Sequence, residues 1–95
     1  MNVLWTRPSL ADIEEVQDFI AAENPAAAHR LVDELFERTE RLLSHNPHAG
    51  RIGRVSGTRE LVLSGTAFIV AYRVTTRVEI LAVVHSARDW PREFT

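Results

Sequence analysis

The residues best suited to chemistry lie in two short stretches. The first is GRIGRVSGTRE, Gly50 to Glu60, with three arginines (Arg51, Arg54 and Arg59), three glycines and one carboxylate in eleven residues. Guanidinium groups on pliable backbone suit three roles: a phosphate cradle, a docking surface for an acidic partner, or a solvated connector. The cradle is the weakest of the three, because there is no G-x-x-x-x-G-K and the chain contains no lysine at all. Glycine permits close backbone approach, which favours docking. The second stretch is HSARDWP, His85 to Pro91. His85 could serve as general base or acid for a metal-independent ribonuclease, with Arg59, Arg73 and Arg88 as cations for the phosphate. In the alternative reading, His85 and Asp89 bond locally and Trp90 packs the tail down.

Other chemistries are excluded or poorly supported. The absence of cysteine removes thiolate nucleophiles, disulfides and cysteine-based zinc sites. His45 and His48 are three apart but lack a third ligand, so no metal site and no cofactor is expected. His29 is expected on a helix surface. Every basic side chain is arginine, which binds carboxylate or phosphate well and shuttles protons poorly. No basic-then-apolar leader is visible, and no apolar run is long enough to cross a bilayer, so a cytoplasmic, membrane-free protein is expected.

Charge is distributed unevenly. Residues 1–49 carry nine carboxylates against four arginines, net −5, and residues 50–95 carry seven arginines against four carboxylates, net +3. Such a dipolar molecule attracts an acidic partner to its C-terminal half.

These residues must be positioned by a small set of elements. NVLWT reads as a strand. Ser9 then opens S-x-x-D, a weak relative of the capping box, ahead of Leu10, Ile13, Val16, Phe19 and Ile20 at helical spacing. Asn24-Pro25 ends that helix and caps the next, with apolar positions Ala28, Leu31, Val32, Leu35, Phe36, Leu42 and Leu43. Pairs Glu34–Arg38 and Glu37–Arg41 support it. Three alternating segments follow: TRELVL, FIVAYRV and RVEILAVVH. Strict alternation in the last puts Val78, Ile80, Ala82 and Val84 on one face and Glu79, Leu81, Val83 and His85 on the other. The expectation is a single α+β domain over residues 1–95, ordered β-α-α-β-β-β, with a helical hairpin on a mainly antiparallel sheet. Leu81 and Val83 would then form an exposed apolar face available to a partner.

Six pieces in order resemble one family. These are Trp5-Thr6 with Asp12, the ENP-x-A-A junction from Glu23 to Ala28, NP-x-x-GR-x-G-R from Asn46 to Arg54, GTREL from Gly57, YRV from Tyr72, and H-x-ARDWP from His85. The chain resembles the ParE/RelE superfamily of bacterial type II toxins, the ParE branch most closely. The resemblance implies a cytoplasmic toxin neutralised by a ParD-like antitoxin in a hetero-oligomer, with DNA contacted only through the antitoxin. It also implies DNA gyrase as the target, inhibited without bond-breaking. The RelE-type alternative is a ribosome-dependent mRNA endonuclease using His85, Arg59, Arg73 and Arg88. The expected target- or antitoxin-binding residues are Arg51, Arg54, Arg59, Leu81, Val83, Arg88 and Trp90. The expected antitoxin is acidic and amphipathic, covering the sheet face and helix groove by helix packing and strand addition.

Overall fold

The computed structural model describes residues 1–94. A short strand β1 (Val3–Trp5) leads into helices α1 (Arg7–Ala21) and α2 (Pro25–His45). Strands β2 (Arg51–Ile52), β3 (Arg59–Val62), β4 (Phe68–Val74) and β5 (Val78–His85) follow. The sheet order is β1-β5-β4-β3-β2. Only β1 pairs in parallel, with β5; the other pairings are antiparallel. This is the α+β architecture read from the sequence, with one addition: the arginine loop contributes the two-residue strand β2, so four strands follow the helices.

The helix boundaries have local causes. Thr6 caps α1, its hydroxyl accepting from the Ser9 N–H at 3.4 Å while the Ser9 hydroxyl donates to the Thr6 carbonyl at 2.7 Å. The cap is therefore three residues earlier than the S-x-x-D pattern suggested, since Pro8 is suited to the first turn. Asp12, released from capping, reaches the sheet. Asn24 caps α2 as expected, its side chain accepting from the Ala27 N–H at 3.0 Å. An Asn24→Ala variant should lose about 1 kcal/mol, which thermal unfolding would register as a drop of roughly 4–8 °C.

One face of the sheet carries the core. Ile13 of α1 and Leu35 and Leu43 of α2 pack on Leu61, Leu63, Val70, Tyr72, Val78, Ile80 and Val83. Trp5 closes the edge, its ring 4.6 Å from Phe36 and its Nε1 donating to Glu40. The α1 stripe is wider than the core needs: Leu10 and Phe19 remain exposed, Phe19 by 78%.

The alternation expected for β5 fails at one residue. Tyr72 pairs with Ile80 but Ala71 pairs with Ala82, so Leu81 is an extra residue, a β-bulge. A bulge reverses the parity of everything beyond it. Val83, paired with Val70, therefore joins the core at 6% exposure instead of facing outward. His85, opposite Phe68, turns to the helix side with it, and their rings meet edge-on at 5.5 Å. The far face is not the open apolar surface that alternation implied. Ile69, Ala71 and Ala82 are buried there, and Glu60 with them.

Candidate functional site

The arginine loop is organised by Glu60, a residue that sequence reasoning passed over. Glu60 lies on the face of the sheet away from the helices, directly across from Arg51 in the β2–β3 pair. Its side chain is 2% exposed. The Arg51 guanidinium donates to Oε1 at 2.9 Å. Arg54 donates its backbone N–H to Oε2 at 2.8 Å and its Nε to the same oxygen at 3.1 Å. Burial pushes the Glu60 carboxyl up, but these hydrogen bonds and the Arg54 charge outweigh it, and the net shift is downward.

The outer faces of both arginines remain about half exposed. The Arg54 guanidinium stacks on Trp90, 3.8 Å from the ring centroid. Strand β3, the loop and the C-terminal tail are thus joined through one carboxylate and one cation–π contact. The Trp90 Nε1 is buried with no partner among the described residues. The structure brings Trp90 to Arg54. A signal for Glu60 was available: it is the only carboxylate in the stretch and directly follows Arg59 at the start of a strand.

The glycines serve this packing. A Cβ on Gly50 would lie 2.7 Å from the Tyr72 ring and 2.9 Å from the Glu60 carbonyl oxygen. The Tyr72 hydroxyl accepts from the Gly50 N–H and donates to the Pro47 carbonyl, both at 2.8 Å. Burial raises the Tyr72 pKa, with the Gly50 N–H and Arg59 opposing.

The remaining candidates are dispersed. Arg59 donates to the Gly50 carbonyl at 2.8 Å and holds the loop from beneath. Arg73 engages Glu79. Its hydrogen bond to Glu79, with that from Arg77, holds the Glu79 carboxyl low against burial. Arg73 is five residues along β4 from Phe68, the partner of His85. That separation is ~17 Å at ordinary strand rise, and on the opposite face. His85 Nδ1 accepts from the Ala87 N–H at 3.1 Å and its carbonyl accepts from Arg88 N at 3.1 Å, so His85 shapes the turn into the tail. His85, Arg59 and Arg73 do not converge on one point where a phosphate could react.

Arg88 is exposed and, with half-buried Leu81, lines a groove of ≈ 790 Å³ between α1, the end of β5 and the tail. His29 is on the surface beside Asp33, 3.4 Å away. No cluster of three metal-ligating side chains occurs among the described residues, and none of their helices is long and apolar enough to cross a membrane.

Residues 3–90 match the family model of the ParE toxin of the type II toxin–antitoxin system parDE. This chain belongs to the ParE toxin family. A candidate toxin of Sinorhizobium fredii, Y4kP, is 37% identical over 91 residues, covering 96% of this chain and 94% of its own. Toxin RelE2 of Caulobacter vibrioides is 33% identical over 87 residues, covering 92% and 97%. A solved chain of the chromosomal ParDE system from P. aeruginosa superposes with a TM-score of 0.80 at 29% identity, over 90% of this chain and 95% of that one. The ParE relationship thus extends across helices, sheet and arginine loop.

Proposed function

We propose that this ParE-family toxin acts in the cytoplasm, is neutralised by a ParD-like antitoxin and poisons DNA gyrase by contact. The observation that carries the reading is the Glu60–Arg54–Trp90 assembly. It presents Arg51, Arg54 and Trp90 as a prebuilt, electropositive surface, ordered before any partner arrives. A preorganised surface gives up less entropy on docking. An acidic antitoxin segment covering it would block the target by occlusion, and DNA would be reached through the antitoxin alone. The dispersal of His85, Arg59 and Arg73 supports inhibition without bond cleavage, although one relative carries the name RelE2.

Arg59 changes role in this reading, from contact to support, and Val83 leaves the contact set because it is core. Arg88 and Leu81 remain at the surface. Purified toxin should inhibit gyrase supercoiling, accumulate cleaved DNA and be relieved by antitoxin. The His85→Ala variant, if folded by circular dichroism, should inhibit as the wild type does. Arg88→Glu should weaken inhibition about tenfold. Folded, toxic protein that leaves gyrase untouched and cleaves ribosome-bound mRNA in a His85-dependent way would overturn the proposal.

A further inference from the structure

The arginine pair centred on Glu60 has a counterpart on the same face of the sheet. Glu79 of β5 lies directly opposite Arg73 of β4. Its side chain is 13% exposed, and it accepts from Arg73 Nε and, at 3.3 Å, from Arg77 Nε. Arg73 and Arg77 are about half exposed, as Arg51 and Arg54 are. In each set a sequestered carboxylate fixes two guanidinium groups and leaves their outer edges to solvent. Each set sums to one net positive charge, two arginines against one glutamate.

Strand register places the two sets relative to one another. Glu60 is opposite Ala71, and Glu79 is opposite Arg73, two residues further along β4. Two strand spacings across and two residues along put the carboxylates about 12 Å apart. Ala71 is the β4 side chain beside Glu60 on this face, so that strand raises no bulky wall between the sets. Arginine presents five donors, and Glu60 and Glu79 occupy only some of them. A guanidinium already held on one edge gives up little rotamer freedom when its other edge is taken by a second carboxylate.

We propose that Arg73 and Arg77 form with Arg51 and Arg54 a two-point docking face for an acidic helix of the protein that the toxin inhibits. Carboxylates at positions i and i+7 of a helix lie on one side of it, about 10.5 Å apart, within side-chain reach of both sets. Each carboxylate accepts from one arginine pair. A nucleic-acid duplex fits this face less well. The chain has a net charge of −2, so it exerts no long-range pull on a polyanion, and two separate net charges match two carboxylates better than a continuous row of phosphates. Helices α1 and α2, which hold most of the carboxylates, pack on the other face of the sheet, so an acidic partner is steered to the arginine face. The inference rests on the reading of inhibition by protein contact, and adds Arg73, Arg77 and Glu79 to the surface that makes it.

The test uses the full toxin, purified DNA gyrase and two helix-stabilised alanine-based peptides, one with glutamates at i and i+7, the other with glutamates at i and i+5. The Arg73→Ala/Arg77→Ala/Glu79→Ala variant removes one whole set, so no carboxylate is left without a partner. Folded by circular dichroism, it should require about ten times more toxin for half-inhibition of supercoiling. The i,i+7 peptide should shift the side-chain Nε–H resonances of Arg54 and Arg73 together. It should also bind about tenfold more tightly than the i,i+5 peptide, whose glutamates point to opposite sides of the helix. Arg77→Ala alone, a half-exposed change that leaves Arg73 on Glu79, should lose about threefold and serves if the triple variant does not fold.

A folded triple variant, or Arg77→Ala in its place, that inhibits gyrase at the wild-type concentration would overturn the second docking point and leave the toxin reading intact. Toxin that leaves gyrase untouched but takes the i,i+7 peptide through both arginine sets would support the docking face and sink the gyrase assignment. Equal binding of the two peptides would overturn the two-point geometry. A short DNA duplex that shifts the same resonances, with binding lost steeply as salt is raised, would make the face a nucleic-acid site and overturn the proposal.

Discussion

Replacing Glu60 by alanine is expected to cost about 2–3 kcal/mol and to abolish toxicity. The substitution removes the acceptor of five hydrogen bonds from Arg51 and Arg54. Breaking a fully buried pair costs about 3–5 kcal/mol. Here the arginines are half exposed, so water recovers part of the loss. For a domain of this size the urea midpoint should fall by about 2 M. Loss of the Arg54 anchor also frees Trp90, so if the proposed gyrase contact is right, the loss of inhibition should exceed what unfolding alone explains. Glu60→Gln separates charge from packing: it keeps the shape and one acceptor oxygen.

The pH dependence of Glu60 has a definite sign. Its folded pKa lies below the unfolded value of about 4.3. The stabilisation is therefore fully present above the unfolded value and is lost as pH falls through the folded one. The difference in stability between wild type and Glu60→Gln should be constant near neutrality and shrink in acid. A difference that persists undiminished below the folded pKa would show that the charge is not what Glu60 contributes.

The second large effect is expected at Gly50. An added methyl would press on the Tyr72 ring at 2.7 Å and the Glu60 carbonyl at 2.9 Å, and Tyr72 is fully buried. Neither can yield without disturbing β3 or β4, so Gly50→Ala should cost about 3 kcal/mol. Gly57→Ala is the control. Gly57 has φ of +77° with nothing within 4 Å of the added carbon, so only backbone strain remains, about 1 kcal/mol. Chemical denaturation of the two variants side by side decides it; equal losses would mean that packing at Gly50 is not what selects glycine.

These two residues explain the composition of the loop. Its glycine and arginine content suggested an anion cradle or a docking surface. Gly50 is there because the backbone passes against Tyr72 and β3. Arg51 and Arg54 face inward to a shared carboxylate with one side each and outward with the other. Only Arg59 is committed largely to its own loop carbonyls.

What the sequence determined by itself was local. Helical spacing of Leu31, Leu35 and Leu43, the Asn24-Pro25 cap and the strand FIVAYRV depend on neighbours within a few positions, and the structure follows them. The six motifs also located the ParE family, because their order along the chain carries that information. The tertiary structure decided three things. It decided the bulge at Leu81, which no alternation pattern shows because the extra residue is defined only against β4. It decided the role of Glu60, since a lone carboxylate becomes an organiser only when β2 pairs with β3 and brings two arginines to it. And it decided the place of Asp12, which crosses 71 residues of chain to reach Val83 because β1 turns away after Trp5. Each is a relation between distant segments, and pairing across the sheet, not residue preference, sets it.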